Sequence, residues 1–324
     1  MELTTVLWGI AAVVGVPLVL GGYILAVERL LGLCSPQRRN ALRPWFWLAP
    51  GFIPLAVFLI YPVVHTLVLS FMNADSTRFA GLANYAYIFS THSMLTVLRN
   101  NLLWLVVFTA FTVVLGLLIA VLTDRVSYEW AVKAAIFVPM AISFVAAGVI
   151  WKFMYQYQPP GTPQVGTLNA LITTFGLAPQ VWLFDKAENN WALIAVGIWM
   201  WTGFAMVILS AGLKGIDDSL FEAARIEGAS EGQIFFRIVL PLMKPTVIVV
   251  TTTLVISVLK IFDIVYVMTN GSLDTDVIAN RMYKEMFNYH NFGRASAFAT
   301  VLLLAIIPVM VLNIKRFGQK ETAP

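Results

Sequence analysis

Two ionisable residues lie inside an otherwise apolar stretch in the last third of the chain. Lys260 and Asp263 occur in the run TLVISVLKIFDIVYVM. A charged side chain within a membrane span costs roughly 2.5–3.5 kcal/mol on insertion scales and usually has a function. Spacing of i, i+3 on a continuous helix would put both charges on one face, where they could pair. We interpret them either as a structural ion pair toward another subunit or as contacts with a solute or its gate.

A second polar segment lies between two apolar ones, and its pattern is typical of a helix that ends in a glycine elbow. Residues 222–241 read EAARIEGASEGQIFFRIVLP. Asp217 or Asp218 is expected to cap the first turn of this helix, where acidic groups also suit the helix dipole. Gly228 stands where a left-handed C-cap favours glycine. The sequence therefore predicts a short helix that ends at Gly228.

The rest of that segment predicts a second short helix. Ser230 and Gln233 have the spacing of a capping box, and Pro241 is expected to end the helix. In the first helix, the small side chains of Ala223 and Ala224 would let another surface approach closely. Such an ordered pattern indicates a docking element rather than a solvated loop.

Other kinds of chemistry find no matching residues. Cys34 is the single cysteine, and His65, His92 and His290 are far apart and do not form an HExxH pattern. The phosphate-binding pattern GxxxxGK[ST] is also missing. We therefore expect no metal site, no cofactor, no catalytic residues and no nucleotide site in this chain.

Composition places the chain in a membrane. Of its 324 residues 59% are hydrophobic and only 12% are charged, and the mean hydropathy is +0.81. Soluble domains are about 45–50% apolar and about 25% charged. The net charge of +4 is explained by basic cytoplasmic loops, so nucleic acid is not expected as a partner.

Apolar stretches of about 20 residues mark the membrane spans. Seven are found, at about 3–27, 46–71, 101–123, 134–154, 191–213, 246–268 and 296–314. The first has no basic residues before its apolar run, and that run is too long for a signal peptide, so it is interpreted as a true span. Prolines interrupt three of the spans and predict bends there: Pro62, Pro139 and Pro308.

Basic residues set the orientation, because cytoplasmic loops are enriched in lysine and arginine. One set of connections holds Arg29, Arg38, Arg39, Arg43, Arg125, Lys133, Lys214, Arg225, Arg237, Lys244, Lys315, Arg316 and Lys320. The opposite set holds only Arg78, Arg99, Lys152, Lys186, Arg281, Lys284 and Arg294. The richer side is predicted to be cytoplasmic, which places the N-terminus outside and the C-terminus in the cytosol.

These elements predict an all-α integral membrane protein, a polytopic bundle of about seven transmembrane helices. Residues 1–41 would form an N-terminal span and a basic cytoplasmic linker, and residues 42–324 would hold the other six helices and the cytoplasmic loop 214–245. A family resemblance, described below, implies that these six helices form a core and that the loop is a coupling loop with a cytoplasmic coupling helix. The outer segment 155–190 is rich in Pro and Gly turns rather than helix, and is either a simple connector or a docking rim for an external partner.

The polar segment resembles the cytoplasmic coupling loop of ATP-binding-cassette importer permeases. Their signature is EAA, three residues, Gly, nine residues and then I-x-L-P. Every defined position is matched here, by Glu222, Ala223, Ala224, Gly228, Ile238, Leu240 and Pro241. The family often has proline where Asp217 stands, so the start of the helix is expected to differ slightly. A local pair between Glu222 and Arg225 is also expected, but an exposed helical pair contributes only about 0.3–0.5 kcal/mol.

The resemblance extends from about residue 42 onward. The chain is similar to the maltose-type branch of sugar permeases and, within it, to alpha-glucoside permeases. The stretches that carry this are NALRPWFWLAP, RNNLLWLVVF, IFVPMAISFVAAGVIWKFMY, WTGFAMVILSAGLKGI and LKIFDIVYVMTNG. The resemblance implies a permease of the cell membrane that works with a second homologous permease, an ATPase dimer and an extracytoplasmic solute-binding protein. It implies a sugar substrate and no enzymatic activity in this chain.

Sugar sites combine polar groups with aromatic platforms, and this suggests where a solute could pass. Placing the fifth and sixth spans over the family's sugar-contact region suggests Trp201, Phe204 and Ser257 as candidates, together with Lys260 and Asp263. For any single one of Trp201, Phe204 and Ser257, packing within the bundle or against lipid is the favoured interpretation.

Other classes of membrane protein fit the sequence less well. A secondary transporter would show intramembrane carboxylates in relay, and Asp263 alone is a poor relay. A membrane enzyme such as a glycosyltransferase would need converging acids or a metal site. A structural scaffold would not need the matched loop. A permease for another polyol or glycoside remains the nearest alternative.

The predicted topology can be tested by labelling. Cysteine introduced by Ser230→Cys, in a chain carrying Cys34→Ser, should resist impermeant thiol reagents added to intact cells, because the 214–245 loop should face the cytosol. It should react once the membrane is permeabilised. Ready labelling in intact cells would overturn the orientation.

Overall fold

A computed structural model of the chain describes residues 3–124 and 126–320, and these residues are almost entirely helical. Among them, a single antiparallel bridge between Met72 and Phe79 is the only β-type pairing. The chain divides between Thr66 and Leu67 into two compact units, which are described separately below. The prediction of an all-α protein is confirmed.

The helices are numbered here in chain order. They are α1 (Leu3–Gly32), α2 (Pro36–Leu69), α3 (Ala83–Ser90), α4 (His92–Thr123), α5 (Glu129–Ala141), α6 (Phe144–Met154), α7 (Thr167–Thr174), α8 (Asn189–Lys214), α9 (Asp218–Ile226), α10 (Glu231–Leu259), α11 (Asp263–Met268), α12 (Ile278–Tyr283) and α13 (Phe292–Lys320). Six are long and apolar enough to cross a membrane: α1, α2, α4, α8, α10 and α13. The pair α5 and α6, bent by 99°, gives a seventh span, so the expected number of about seven is met within the described residues.

The smaller unit contains α1 and most of α2, joined by a tight turn. The carboxylate of Glu28 on α1 accepts hydrogen bonds from Arg39 at 2.9 Å, from Arg43 at 2.8 Å and from Trp47 at 2.9 Å on α2. Because α2 begins at Pro36, these arginines lie on a helix. The last part of the predicted basic linker, from Pro36 onward, is therefore helical.

In the larger unit, more of α8 is buried than of any other span among the described residues. Close packing is possible because small residues face its neighbours. A Cβ atom on Gly116 of α4 would lie 2.7 Å from the Cβ of Ala205. One on Gly203 would lie 2.5 Å from the carbonyl oxygen of Ile136 on α5. Small residues at such crossings let helix backbones approach in a membrane, where the hydrophobic effect does not drive helices together.

The bend between α5 and α6 occurs at Pro139, as the sequence predicted. Residues Val138–Ala141 form a 3₁₀ turn, and Ser143 then caps α6 by accepting a hydrogen bond from the Ala146 N–H at 3.1 Å. The capping bond satisfies a backbone donor that a broken helix would leave unpaired. This break therefore costs little in backbone hydrogen bonds.

The predicted span at 246–268 is wrong. The helix α10 starts fifteen residues earlier, at Glu231, and ends at Leu259; after a break, α11 starts at Asp263. Lys260 therefore stands at the C-terminal end of one helix and Asp263 in the first turn of the next. Helix dipoles favour a cation such as Lys260 at a C-terminal end and an anion such as Asp263 in a first turn. This gives a physical reason for the break.

The other two prolines expected to bend spans lie in unbroken helices. Pro308 lies within α13. Pro62 lies in α2 directly after a π-helical turn, Ala56–Ile60, in which Tyr61 donates to the Ala56 carbonyl. Such a wider turn shifts the hydrogen-bond register where proline supplies no N–H and its ring would clash with a preceding carbonyl.

Between α11 and α12, an irregular loop at one end of the larger unit is held by asparagine side chains from other helices. Asn100 of α4 donates to the carbonyls of Asp274 at 2.6 Å and Asp276 at 2.9 Å. Asn189 of α8 donates to the Leu273 carbonyl at 2.8 Å. Buried backbone groups outside regular structure need such partners, so this loop is fixed rather than loosely attached.

The segment 155–190 is more ordered than predicted, because it contains the helix α7. Asn169 of α7 is fully buried. Its amide donates to the carbonyls of Gln156 and Gln180, and its oxygen accepts from the Gln180 N–H and the Trp182 indole. One side chain thus joins both ends of the segment. The expectation of turns without helix is corrected.

The tight crossing of α8 and α5 can be tested with one methyl group. Gly203→Ala would push a Cβ into the backbone of Ile136 and Phe137 and should destabilise the protein by about 1–3 kcal/mol, the usual cost of overpacking. Gly232→Ala is the control, since nothing lies within 4 Å of its Cβ position, and it should be neutral or slightly stabilising. Thermal unfolding of both variants in detergent provides the comparison; equal stability would contradict the packing.

Candidate functional site

The helix α9 in the loop between α8 and α10 begins with a side-chain cap. Asp217 has extended backbone angles, and its carboxylate accepts the Ser219 N–H at 2.9 Å. This hydrogen bond lowers the pKa of the Asp217 carboxyl below its usual value. Asp217, rather than Asp218, is therefore the N-cap. The family's frequent proline is replaced here by a residue that starts the helix equally well.

A glycine elbow ends α9, as predicted. Gly228 has a φ of +81°, and the Ala229 N–H bonds to the Ala224 carbonyl at 3.0 Å. Nothing lies within 4 Å of a Cβ built on Gly228. The left-handed conformation, and not lack of space, is therefore what requires glycine.

The second helix starts with the predicted capping box. Ser230 accepts the Gln233 N–H at 3.3 Å, and the Gln233 side chain accepts the Ser230 N–H at 2.8 Å. Both bonds hold the chain at a fixed angle as it leaves the elbow. The elbow and the start of α10 are thus one ordered unit.

The helix does not stop at Pro241, which corrects the prediction. Residues Phe235–Val239 form a π-helical turn, with Leu240 donating to the Phe235 carbonyl, and α10 runs on to Leu259. As at Pro62, the wide turn lies directly before the proline and relieves the clash that would otherwise break the helix. The second helix of the loop is therefore the first part of a membrane span.

The predicted anchors of this helix are less buried than expected. Ile238 is half-buried, and Leu240 and Pro241 are exposed. Ile234 and Val239 are the buried side chains instead. The sequence did not predict which side chains are buried, because the π turn shifts the apolar face by one residue. The regular helical period used for the prediction does not include such a shift.

An ion pair crosses the elbow. Arg225 donates to Glu231 at 3.0 Å, and both groups are about half exposed. The expected pair between Glu222 and Arg225 does not form. Among the described residues, no hydrogen bond or ion pair engages the Glu222 carboxylate. Arg225 therefore links α9 to α10, and Glu222 is left facing outward.

The two alanines of the motif face different ways. Ala223 is exposed beside Glu222, whereas Ala224 is half-buried and packs with Phe221 against the main hydrophobic core. Ile226 is 87% exposed. The expectation that both alanines clear a surface for a partner is corrected: Ala224 allows α9 to lie close to its own protein, and Ala223 lies on the open face.

A charge cluster that sequence reasoning missed lies next to the loop. The Glu129 carboxylate at the start of α5 bonds to Lys133 and, at 2.8 Å, to Lys214 at the end of α8. Lys133 also bonds to the Ser210 hydroxyl. The i, i+4 spacing of Glu129 and Lys133 was a signal for the first pair; the contact with α8 needs the fold. The cluster ties α5 to α8 just before α9.

Two of the predicted pathway residues belong to an aromatic cluster around α8. The Trp201 ring lies 5.4 Å from that of Phe204, 6.2 Å from Phe144 and 6.5 Å from Phe108, measured between centroids. Trp201 and Phe204 are both half-buried. Phe144 is the first residue after the bend between α5 and α6, so the cluster lies beside that break.

The remaining pathway candidates are not brought together as an ion pair. Ser257 is half-buried near the end of α10, and its hydroxyl has no side-chain hydrogen-bond partner among the described residues. Lys260 is exposed and Asp263 half-buried, and in the described part of the chain no salt bridge joins them. Lys260 instead lies at an apolar cavity of about 460 Å³ with Phe262 and Tyr283. The interpretation of a pair on one helix face is wrong because the helix breaks between them.

No group of three or more His, Cys, Asp or Glu side chains in the described residues could hold a metal ion.

Comparison with known proteins gives consistent relatives. Residues 113–317 match the family model described as binding-protein-dependent transport system inner membrane component. The osmoprotective compounds uptake permease protein GgtC of Synechocystis sp. is 55% identical over 275 residues, covering 85% of this chain and 99% of the relative. The alpha-glucoside transport system permease protein AglF of Rhizobium meliloti is 46% identical over 277 residues, covering 85% and 82%.

Among solved structures, a chain of a bacterial ABC transporter involved in the import of the acidic polysaccharide alginate is similar in fold. The TM-score is 0.73 at 22% identity, with 89% of this chain and 100% of that chain covered.

The separation of Lys260 from Asp263 can be tested with a double-mutant cycle. Because no ion pair joins the two side chains, Lys260→Met and Asp263→Leu should act independently, with a coupling energy below about 0.5 kcal/mol. Thermal unfolding of the wild type, both single variants and the double variant gives this energy. If the double variant were clearly more stable than the single variants predict, the two side chains would have to form an ion pair in the wild type.

Proposed function

The chain belongs to the family of binding-protein-dependent transport system inner membrane components, and from that premise we propose that it forms half of the translocation pathway of an ATP-driven sugar importer. It is a multi-pass inner membrane permease subunit. Its partners in this proposal are a second homologous permease, a dimer of ATPase subunits and an extracytoplasmic solute-binding protein. ATP hydrolysis resides in the ATPase, because this chain has no phosphate-binding loop.

The observation that carries the coupling part of the proposal is the outer face of α9. It offers Glu222, an acidic group that has no partner in the described part of the chain, the small residue Ala223, and the large exposed apolar side chain of Ile226. An exposed apolar residue beside a small one on a short, capped helix suits insertion into a cleft of another protein. We assign that cleft to the ATPase and the loop to the cytosol.

The contacts around α9 suit the transmission of motion. The Arg225–Glu231 pair and the capping box tie α9 to the start of α10. The Glu129 cluster ties α5 to the end of α8 on the other side of the loop. If closure of the ATPase displaces α9, both flanking spans, α8 and α10, would therefore move with it. Little of the displacement would be absorbed by bending of the loop.

For the substrate, we propose an α-glucoside. The alpha-glucoside permease of Rhizobium meliloti is 46% identical to this chain, and the aromatic cluster at Trp201 and Phe204 offers the platforms that pyranose rings pack against. Another glycoside or polyol is the second candidate. It is favoured by the 55% identity to a permease named for osmoprotective compounds. Uptake of labelled maltose, trehalose and polyols by the assembled complex separates the two.

The coupling proposal is tested with charge substitutions on the loop. Gly228→Asp should prevent ATPase binding and abolish sugar-stimulated ATP hydrolysis and uptake, because it distorts the elbow and adds a charge where α9 docks. Ala223→Asp should weaken both by adding charge to the open face alone. Neither change should prevent membrane insertion or pairing with the second permease.

The matched control is Gly232→Asp, which places the same charge four residues further along, in the first turn of α10. An acid is tolerated there by the helix dipole, and the position has open space around it. Copurification of the ATPase and coupled uptake are measured for all three variants. Wild-type values for Gly228→Asp would refute the coupling assignment.

A further inference from the structure

A groove of about 930 Å³ opens at the opposite ends of the spans from α9, between the end of α6 and the segment that contains α11. We name it the outer groove. Its polar and aromatic lining includes Lys152, Gln156, Tyr157, Tyr266, Asn270 and Ser272. Small-molecule sites usually have volumes of about 300–1,000 Å³, so the outer groove is large enough for a short oligosaccharide.

Several polar side chains in the outer groove have no hydrogen-bond partner among the residues that the structure describes. Among the described residues, the side chains of Lys152, Gln156, Asn270 and Ser272 make no hydrogen bond. The ammonium of Lys152 donates, and the two amides and the hydroxyl both donate and accept hydrogen bonds. A ligand with many hydroxyl groups matches this mixture better than an ion or an apolar molecule.

Aromatic rings are exposed next to these polar groups. Phe153 is 67% exposed and Phe184 is 69% exposed, and both line the groove. Tyr266 is held in place by stacking on Phe262, 5.0 Å away at 23°, and by the edge of Tyr283 at 5.3 Å. A fixed ring beside unpaired amides is the combination that recognises a pyranose, which has an apolar ring face and a polar edge.

Both walls of the outer groove are preorganised. Asn169 fixes the Gln156 backbone on one side. Asn100 and Asn189 fix the loop after Asn270 on the other, through the carbonyls of Asp274 and Leu273. Binding here would not have to order a loop, and this reduces its entropic cost.

We propose that the outer groove is a second sugar subsite, which holds one pyranose of an α-glucoside at the outer mouth of the pathway. Gln156, Asn270 and Ser272 bond its hydroxyls, Lys152 adds a donor, and Tyr266 covers its apolar face. The inference rests on the proposed function for the identity of the ligand. It is separate from the Trp201 cluster, which lies beside the bend between α5 and α6.

The test is protection of a thiol against modification. Ser272→Cys is introduced with Cys34→Ser, and the complete complex in lipid nanodiscs is treated with a maleimide, without ATP or solute-binding protein. Maltose should slow the reaction by the factor 1 + [L]/Kd, about threefold at twice the dissociation constant. Ser93→Cys, an exposed site on the same side and outside the groove, should react at a rate that maltose does not change.

Two further variants localise the effect. Gln156→Leu should remove the protection, since it deletes the amide and keeps the backbone oxygen that Asn169 binds. Gln158→Leu is its control, being equally half-buried but outside the groove, and it should keep the protection. Trp201→Ala should also keep it. The proposal is overturned if Trp201→Ala removes the protection while Gln156→Leu keeps it. It is also overturned if saturating maltose gives no protection.

The experiment distinguishes a failure of the groove proposal from a failure of the proposed function. Because neither ATP nor the binding protein is present, maltose protection reports on the groove alone, whereas uptake by the same complex reports on the importer. A complex that imports α-glucosides without protecting the Ser272→Cys thiol leaves the importer proposal intact and refutes the groove. Protection by maltose without import of α-glucosides supports a sugar subsite in the outer groove and refutes the α-glucoside as the imported substrate.

Discussion

The structure depends on one constraint: within a bilayer, every backbone polar group and every charge must find its partner in the protein. The chain departs from continuous helix at two places inside its spans, and each departure is compensated locally. At the bend between α5 and α6, Ser143 caps the new helix. At the break after α10, Lys260 and Asp263 stand at the helix ends whose dipoles favour them. The irregular loop that follows has its carbonyls satisfied by Asn100 and Asn189.

Pro62 and Pro241 are accommodated under the same constraint. In α2 and in α10 a π-helical turn directly precedes a proline, so the helix continues although the residue lacks an N–H. For α10 this has a functional consequence. The span is continuous from the elbow at Gly228 to the break at Lys260, so one rigid element reaches from the docking loop to the far side of the membrane.

The two sites therefore lie at opposite ends of the same connected helices. The docking loop is fixed to α10 by the Arg225–Glu231 pair and to α8 by the Glu129 cluster. The outer groove is walled by the end of α6 and by α11, which follows the break in α10. In the proposed mechanism, a movement of α9 reaches the groove through α10 and the break at Lys260.

The sequence by itself determined the class of protein, the number of spans and the two capped helix starts on either side of Gly228. These follow from composition, from apolar runs of about 20 residues and from local backbone preferences at Asp217, Gly228 and Ser230, all of which act within a few residues. It could not determine how α9 turns. Whether Ala223 or Ala224 faces outward, and whether Arg225 pairs with Glu222 or Glu231, depends on which surface lies beneath the helix.

Tertiary structure also decided the break between Lys260 and Asp263. By length and mean hydropathy, residues 246–268 qualify as one span, and only the charged residues Lys260 and Asp263 interrupt the apolar run. The helix nevertheless ends at Leu259, because its two charges fit helix ends better than a helix middle and because side chains from α4 and α8 supply partners for the loop beyond. Asn100 and Asp274 are far apart along the chain, and no local pattern could show that they meet.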